Sequence, residues 1–375
     1  MVAAALALEM SGQQQFPTLE KGFQPEKLYQ FGGVDSVNVF NGTLMINLPI
    51  GPTYALDGGV SYGLRLSYNS KPWDLVKEGE YVHAWPSRRS AAGMGWILGM
   101  GRFIGSEDPF NTSFTDLYEA PDGGDHRFDG VSPDTTCASL CPSYTSDGSN
   151  LRLRRPSSTI REVDFPDGIT KKFIKNAAGD WELREIRNAR SSDTVTITPV
   201  LGSTALCASG TDSYWTITDS GSRTHTVCFT NLPVNSVDRP MVNRVVFATP
   251  GTPAIYQFTY VAAELLKPNE DTDGTEFWRQ THDVQLLDTL TLPDGSTYRF
   301  ALGTDVLGSM TLPTLGKIEY QYEGWRVPST QFCNDTYGLG YGFAGYTHGV
   351  KQRTFTPAVP AGQTPVSPPG NTHAN

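Results

Sequence analysis

One local pattern occurs four times in this chain and leaves little room for anything but paired β-strands. The copies align on Pro121, Pro166, Pro293 and Pro313. Three places before each proline stands Tyr118, Val163, Leu290 or Met310, and one place before it Ala120, Phe165, Leu292 or Leu312. Between them lies Glu119, Asp164, Thr291 or Thr311. Apolar, polar, apolar is the signature of a half-buried strand, whose side chains alternate between two faces. Seven places after the proline an aromatic returns: Phe128, Phe173, Phe300, Tyr320. Three copies join the arms through Pro-Asp-Gly. Proline presets the first corner of a type I turn, aspartate bonds its own backbone two residues on, and glycine accepts positive φ. The fourth copy carries its glycine, Gly316, one residue later, which predicts a longer loop or a bulge. The unequal spacing of the copies fits a long sheet of hairpins better than a strict solenoid.

Composition agrees. Glycine 38, proline 26 and 11% aromatics in 375 residues favour many short strands with tight turns. A formal net charge of −10 without a basic cluster argues against nucleic acid and anionic lipid as partners. No segment has the ~18 apolar residues of a membrane-spanning helix. The opening run Val2–Leu8 fits either the remnant of a secretion signal or an unstructured start.

Four segments follow from the pattern: a disordered 1–20, a β segment 21–105, a hairpin sheet 106–354, and a Pro/Gly/Thr-rich tail 355–375 that is a linker or a truncated continuation. Asn41-Gly42 between Val37–Phe40 and Leu44–Leu48 predicts a two-residue hairpin. Val60–Tyr68 alternates throughout and is the clearest strand. Ile97–Ile104 reads as one glycine-bent strand, and Tyr260–Lys267 as the single helical stretch before Pro268. Cys207 and Cys228 flank a hairpin that turns at Asp219–Ser222 and brings them within bridging reach. Cys137 and Cys141 form a second candidate pair, which leaves Cys333 odd. Such cysteine use suits an oxidising compartment, outside the cell or at its surface.

The chemistry is sparse. Six histidines are scattered singly, with no nucleophile elbow beside them, and read as ordinary surface or strand residues. Gly93-Met-Gly95-Trp96 lacks the third glycine and the helix of a dinucleotide site and reads as packing. Asn269, Asp271 and Asp273 match the first half of a calcium loop, but Glu276 and Gln280 break the second half, so the segment is either a calcium site or a solvated acidic turn. Tyr298, Tyr320, Tyr322, Trp325, Tyr337, Tyr341 and Tyr346 offer a glycan-binding face or, by their alternation, core. No residue stands out as catalytic, so the chain reads as no enzyme.

Gly22–Pro25, Val37-Asn38 with Asn41-Gly42, Leu48-Pro49 with Gly51-Pro52, Leu64–Ser70, and Gly93–Trp96 with Gly101-Arg102 resemble the N-terminal part of RHS/YD-repeat proteins. Tyr320–Gly324 is similar to one degraded YD repeat. The resemblance implies an all-β fold, a long curved antiparallel sheet of successive hairpins forming part of a shell. It implies a structural part in a secreted or surface protein. The partners would be the remainder of a longer chain or an enclosed C-terminal toxin, or a contacted glycan or protein. The chain departs from the family in having no tandem Tyr-Asp run, no core-closing segment with paired aspartates, and only a lone Asp108-Pro109. The alternative is an extracellular carbohydrate- or protein-binding β module.

Overall fold

The computed structural model describes residues 29–31, 33–38, 42–78, 81–108, 111, 115–130, 141–271, 276–303, 305–327, 332–334, 340–342, 345–358 and 373–374. The fold is all-β, with strands and no helix among the described residues. A meander of 15 antiparallel strands dominates it. It runs from Ser143–Tyr144 to Lys317–Val327 with each strand beside its sequence neighbour, then adds Gly345–Thr356, and it does not close into a barrel.

One turn geometry builds much of the molecule. It joins Leu56 to Val60, Ala120 to Gly124, Phe165 to Ile169, Asn176 to Asp180, Asp219 to Arg223, Leu292 to Ser296 and Leu312 to Gly316. In each, the first residue's N–H donates to the last residue's carbonyl, and the fourth residue's N–H donates back to the first. The fourth residue has positive φ every time: Gly59, Gly123, Gly168, Gly179, Ser222, Gly295 and Leu315. This is the three-residue hairpin connection, a type I turn closed by a left-handed residue. The fourth proline copy is therefore not longer. Leu315 takes φ 67° where its siblings carry glycine. The residues three before and seven after each proline are all buried, and those one before are half-buried, so the pattern is one rule of packing.

Two smaller sheets cover one face of the meander. The five-stranded sheet holds Tyr29–Phe31, Asp35–Asn38, Leu44–Ala55, Ser61–Asn69 and Trp96–Gly99 in that spatial order. Tyr62, Leu64, Leu66 and Tyr68 are all buried, while Ser61 and Arg65 face solvent. These side chains share one core with Ile197, Val227, Val245, Leu290, Met310 and others of the meander, so residues from both sides of position 105 fill the same interior. Burial of this kind stabilises by about 1.5–3 kcal/mol per large aliphatic side chain. A three-stranded sheet of Arg102–Ile104, Leu117–Glu119 and Asp125–Arg127 packs Phe103, Tyr118 and Phe128 on Leu153, Val163 and Phe173.

Three sequence expectations change. The stretch 97–104 is two strands in two sheets. They part at Gly101, φ 102°, where an added Cβ would strike the Tyr118 hydroxyl. The strands on either side of the expected Asn41-Gly42 turn pair, closed by Asn38 and Thr43 with Val37 opposite Leu44, while residues 39–41 lie outside the described residues. Tyr260–Lys267 is not helical. It lies within strand Ala254–Asp271, which pairs along its length with Glu276–Thr291. Cross-strand pairing and burial of Leu265 override the local helical preference.

Cys207 and Cys228 are joined, tying a loop to the buried strand Thr224–Val234. Cys141 is also disulfide-bonded, and Cys137, its expected partner, lies outside the described residues.

Candidate functional site

Of the expected calcium ligands, Asn269 and Asp271 end a strand, their backbones in register with Trp278 and Tyr81. Their side chains, and Asp273 altogether, lie outside the described residues. Among the described residues no three His, Cys, Asp or Glu side chains converge as metal ligands. Tyr320 and Tyr322 point into the core, Tyr298 is half-buried, and the side chains of Trp325, Tyr337, Tyr341 and Tyr346 lie outside the description.

The structure brings together polar groups that no sequence spacing announces. Tyr62, from the five-stranded sheet, donates its hydroxyl to Asp219 Oδ2 at 2.8 Å on the meander. Arg223 Nε donates to the same oxygen at 2.6 Å. His225, 1% exposed, lies 3.1 Å from the Tyr62 hydroxyl and stacks on Tyr54. The backbone N–H of Ala248 donates to His225 Nδ1, so the neutral ring carries its proton on Nε2 and donates it to Tyr62. Burial holds the imidazole below its ordinary value. Burial also raises Asp219, but hydrogen bonds from Tyr62 and Arg223 outweigh it and keep the carboxyl below the usual range. The Tyr62 hydroxyl and Arg223 Nε both donate to Asp219, and Arg223 Nη2 donates to the Ala55 carbonyl. The arrangement is a lock that ties the five-stranded sheet to the meander.

A second lock also sets an aspartate between a tyrosine and an arginine. Asp35, on the five-stranded sheet, receives the Tyr320 hydroxyl at 2.8 Å and two Arg353 donors at 2.6 and 3.0 Å. Lys171 is a third enclosed ionisable group. Its amine donates to the Met100 carbonyl and the Tyr118 hydroxyl, and burial lowers it to about 8. All three groups pin the small sheets to the meander.

Among the described residues a cleft with a volume of about 260 Å³ opens between the sheets. Tyr68, Trp96 and Phe300 line it, with ring centroids 5.0 Å apart for Tyr68–Trp96 and 4.6 Å for Trp96–Phe300. Met94, Leu286, Leu287 and Leu302 are among the other residues that line it, with Asp288 and Asp305 as its charged members. The Gly93–Trp96 turn sets this geometry. Met94 N–H donates to the Gln285 carbonyl. An added Cβ on Gly93 would come 2.6 Å from the Leu287 backbone nitrogen, and one on Gly95 would come 2.7 Å from the Tyr68 ring. The glycines therefore serve close packing, as their pattern suggested. Leu307 N–H donates to the Tyr68 hydroxyl, and Tyr322 donates to the Leu307 carbonyl, which fixes the segment bearing Asp305.

No family model and no curated protein matches the chain. No helix among the described residues is long and apolar enough to cross a membrane.

Proposed function

We propose that this chain is a non-catalytic structural wall, part of the β-shell of a secreted or surface protein of the RHS/YD-repeat kind. The observation that carries the reading is the 15-strand meander, extended hairpin by hairpin through one repeated turn. Such a sheet grows by local pairing and encloses space without needing a catalytic centre. The small sheets, locked on by Asp35 and Asp219, serve in this reading as the foundation on which the wall is laid. The Cys207–Cys228 bridge suits a chain that passes through an oxidising compartment. Its partners are then the remainder of a longer chain and the cargo enclosed by it, or a surface that the shell contacts.

Electron microscopy of the complete secreted gene product tests this. A hollow shell with this chain in its wall supports the proposal. A solid particle in which the meander ends as a free-standing sandwich overturns it.

A further inference from the structure

We propose that the cleft between the five-stranded sheet and the meander binds a compact, uncharged aromatic molecule, a fused ring system that carries a hydrogen-bond acceptor. The inference is independent of the shell reading. It rests on the size and wall of the cleft and on one buried donor in that wall.

At about 260 Å³ the cleft exceeds the ~150 Å³ apolar cavity that takes up benzene, and falls short of the ~300 Å³ at which ordinary small-molecule pockets begin. Its guest is therefore a single bicyclic ring system. The wall is mainly aromatic and aliphatic, with Trp96, Phe300, Met94, Leu286, Leu287 and Leu302 in it. The Trp96 ring is tilted 46° to Tyr68 and 59° to Phe300, so edges and faces of rings meet in this wall. Aromatic pairs prefer offset or edge-to-face contact, which such a wall offers to a further ring. A sugar would bring several hydroxyls to a lining with few polar side chains to receive them. An anion would find no lysine or arginine in it. Asp288 is exposed and Asp305 is already engaged, so neither carboxylate is assigned to the guest.

The second observation is polar. Trp96 is 2% exposed, and its indole N–H has no acceptor among the described residues. A buried N–H left unbonded is costly, and buried indoles ordinarily find a partner. A guest with a carbonyl oxygen supplies the missing acceptor to a side chain that lines the cleft. The wall is also prepared in advance. Gly93 and Gly95 hold the Trp96 turn at positive φ against Leu287 and Tyr68, which fixes it before any guest arrives. Val261 lies on the same strand face as Ala263 and Leu265, which pack with Met94, and it is 52% exposed, so this side of the cleft opens to solvent.

The test is calorimetric titration of the whole chain with 1-tetralone, and with tetralin as the same ring system without the oxygen. Saturable binding of both is expected, the ketone about fivefold tighter, which is the worth of one net hydrogen bond. In protein isotope-labelled at the tryptophan nitrogens, the Trp96 indole signal, assigned by its contact with the Phe300 ring, should move with the ketone and much less with tetralin. Protonated 1-aminotetralin, of the same ring size, should bind more weakly than the ketone. Leu302→Trp, at a half-buried position of the lining that packs with Met94, should abolish binding of both neutral probes. Absence of saturable binding, equal affinity for ketone and tetralin, tighter binding of the amine, an unmoved Trp96 signal, or undiminished binding by a folded Leu302→Trp variant overturns the proposal.

Discussion

Leu315→Gly should stabilise this protein, although it removes a large apolar side chain. Leu315 holds φ 67° at the position filled by glycine in the three sibling Pro-Asp-Gly turns. A left-handed backbone costs an ordinary L-residue about 1–2 kcal/mol. Glycine removes that strain but loses about 0.5–1 kcal/mol through its freer unfolded chain. Leu315 is 75% exposed, so little burial is forfeited. The net expectation is a gain of about 0.5–1 kcal/mol. The reciprocal change isolates the same physics. At Gly295, φ 85°, an added Cβ meets nothing within 4 Å, so Gly295→Ala reports backbone strain without a clash. It should cost about 1 kcal/mol. For 375 residues, 1 kcal/mol moves Tm by only about 1 °C, from an unfolding entropy of about 2.1 cal/mol/K per residue. Urea midpoints and amide exchange at Leu312 and Leu315, whose N–H groups close the turn, are the sharper assays. A destabilised Leu315→Gly together with a neutral Gly295→Ala would refute the turn-strain argument.

Other consequences follow from the locks and the bridge. Asp35→Ala strands the Arg353 guanidinium and the Tyr320 hydroxyl and should cost about 3–5 kcal/mol in urea unfolding, whereas Tyr320→Phe should cost only about 1 kcal/mol. His225 is held below its ordinary value, so the native state binds fewer protons than the unfolded chain just below pH ~6.5. Stability should therefore fall as pH drops through that window, and His225→Gln should flatten the dependence of the urea midpoint between about pH 7.5 and 5.5. His282, buried and lowered for the same reason, adds a slope of the same sign, which a His225→Gln/His282→Gln pair should remove. Asp219 is also held low, so a further loss should appear as pH falls below its unfolded value near 4. Replacing Cys207 and Cys228 by serine opens a loop with a sequence separation of 21 and should lower stability by about 3 kcal/mol, measured against the oxidised parent.

The sequence by itself determined whatever depends on near neighbours. Alternation in 61–69 marked a strand with one buried face, and the fourfold apolar and aromatic spacing marked hairpins whose flanking residues the structure buries. The Cys207–Cys228 bridge was legible because a hairpin brings its two ends together. Turn geometry was only partly legible. Proline drew attention to four copies, while Leu56–Val60, Asn176–Asp180 and Asp219–Arg223 make the same bonds without it. The left-handed state of Leu315 carries no sequence mark, because neighbouring strands impose it against the residue's own preference. Tertiary structure decided the rest. Tyr62 and Asp219 lie 157 residues apart, and Asp35 and Arg353 lie 318 apart. The scattered histidines that read as ordinary include two buried ones, His225 and His282. The cleft likewise draws Tyr68, Trp96, Asp288 and Phe300 from segments that meet only when one sheet is laid on the other. Strand pairing is encoded by periods of a few residues, but the contact between two sheet faces is encoded by shape and burial across the whole chain, and no local period records it.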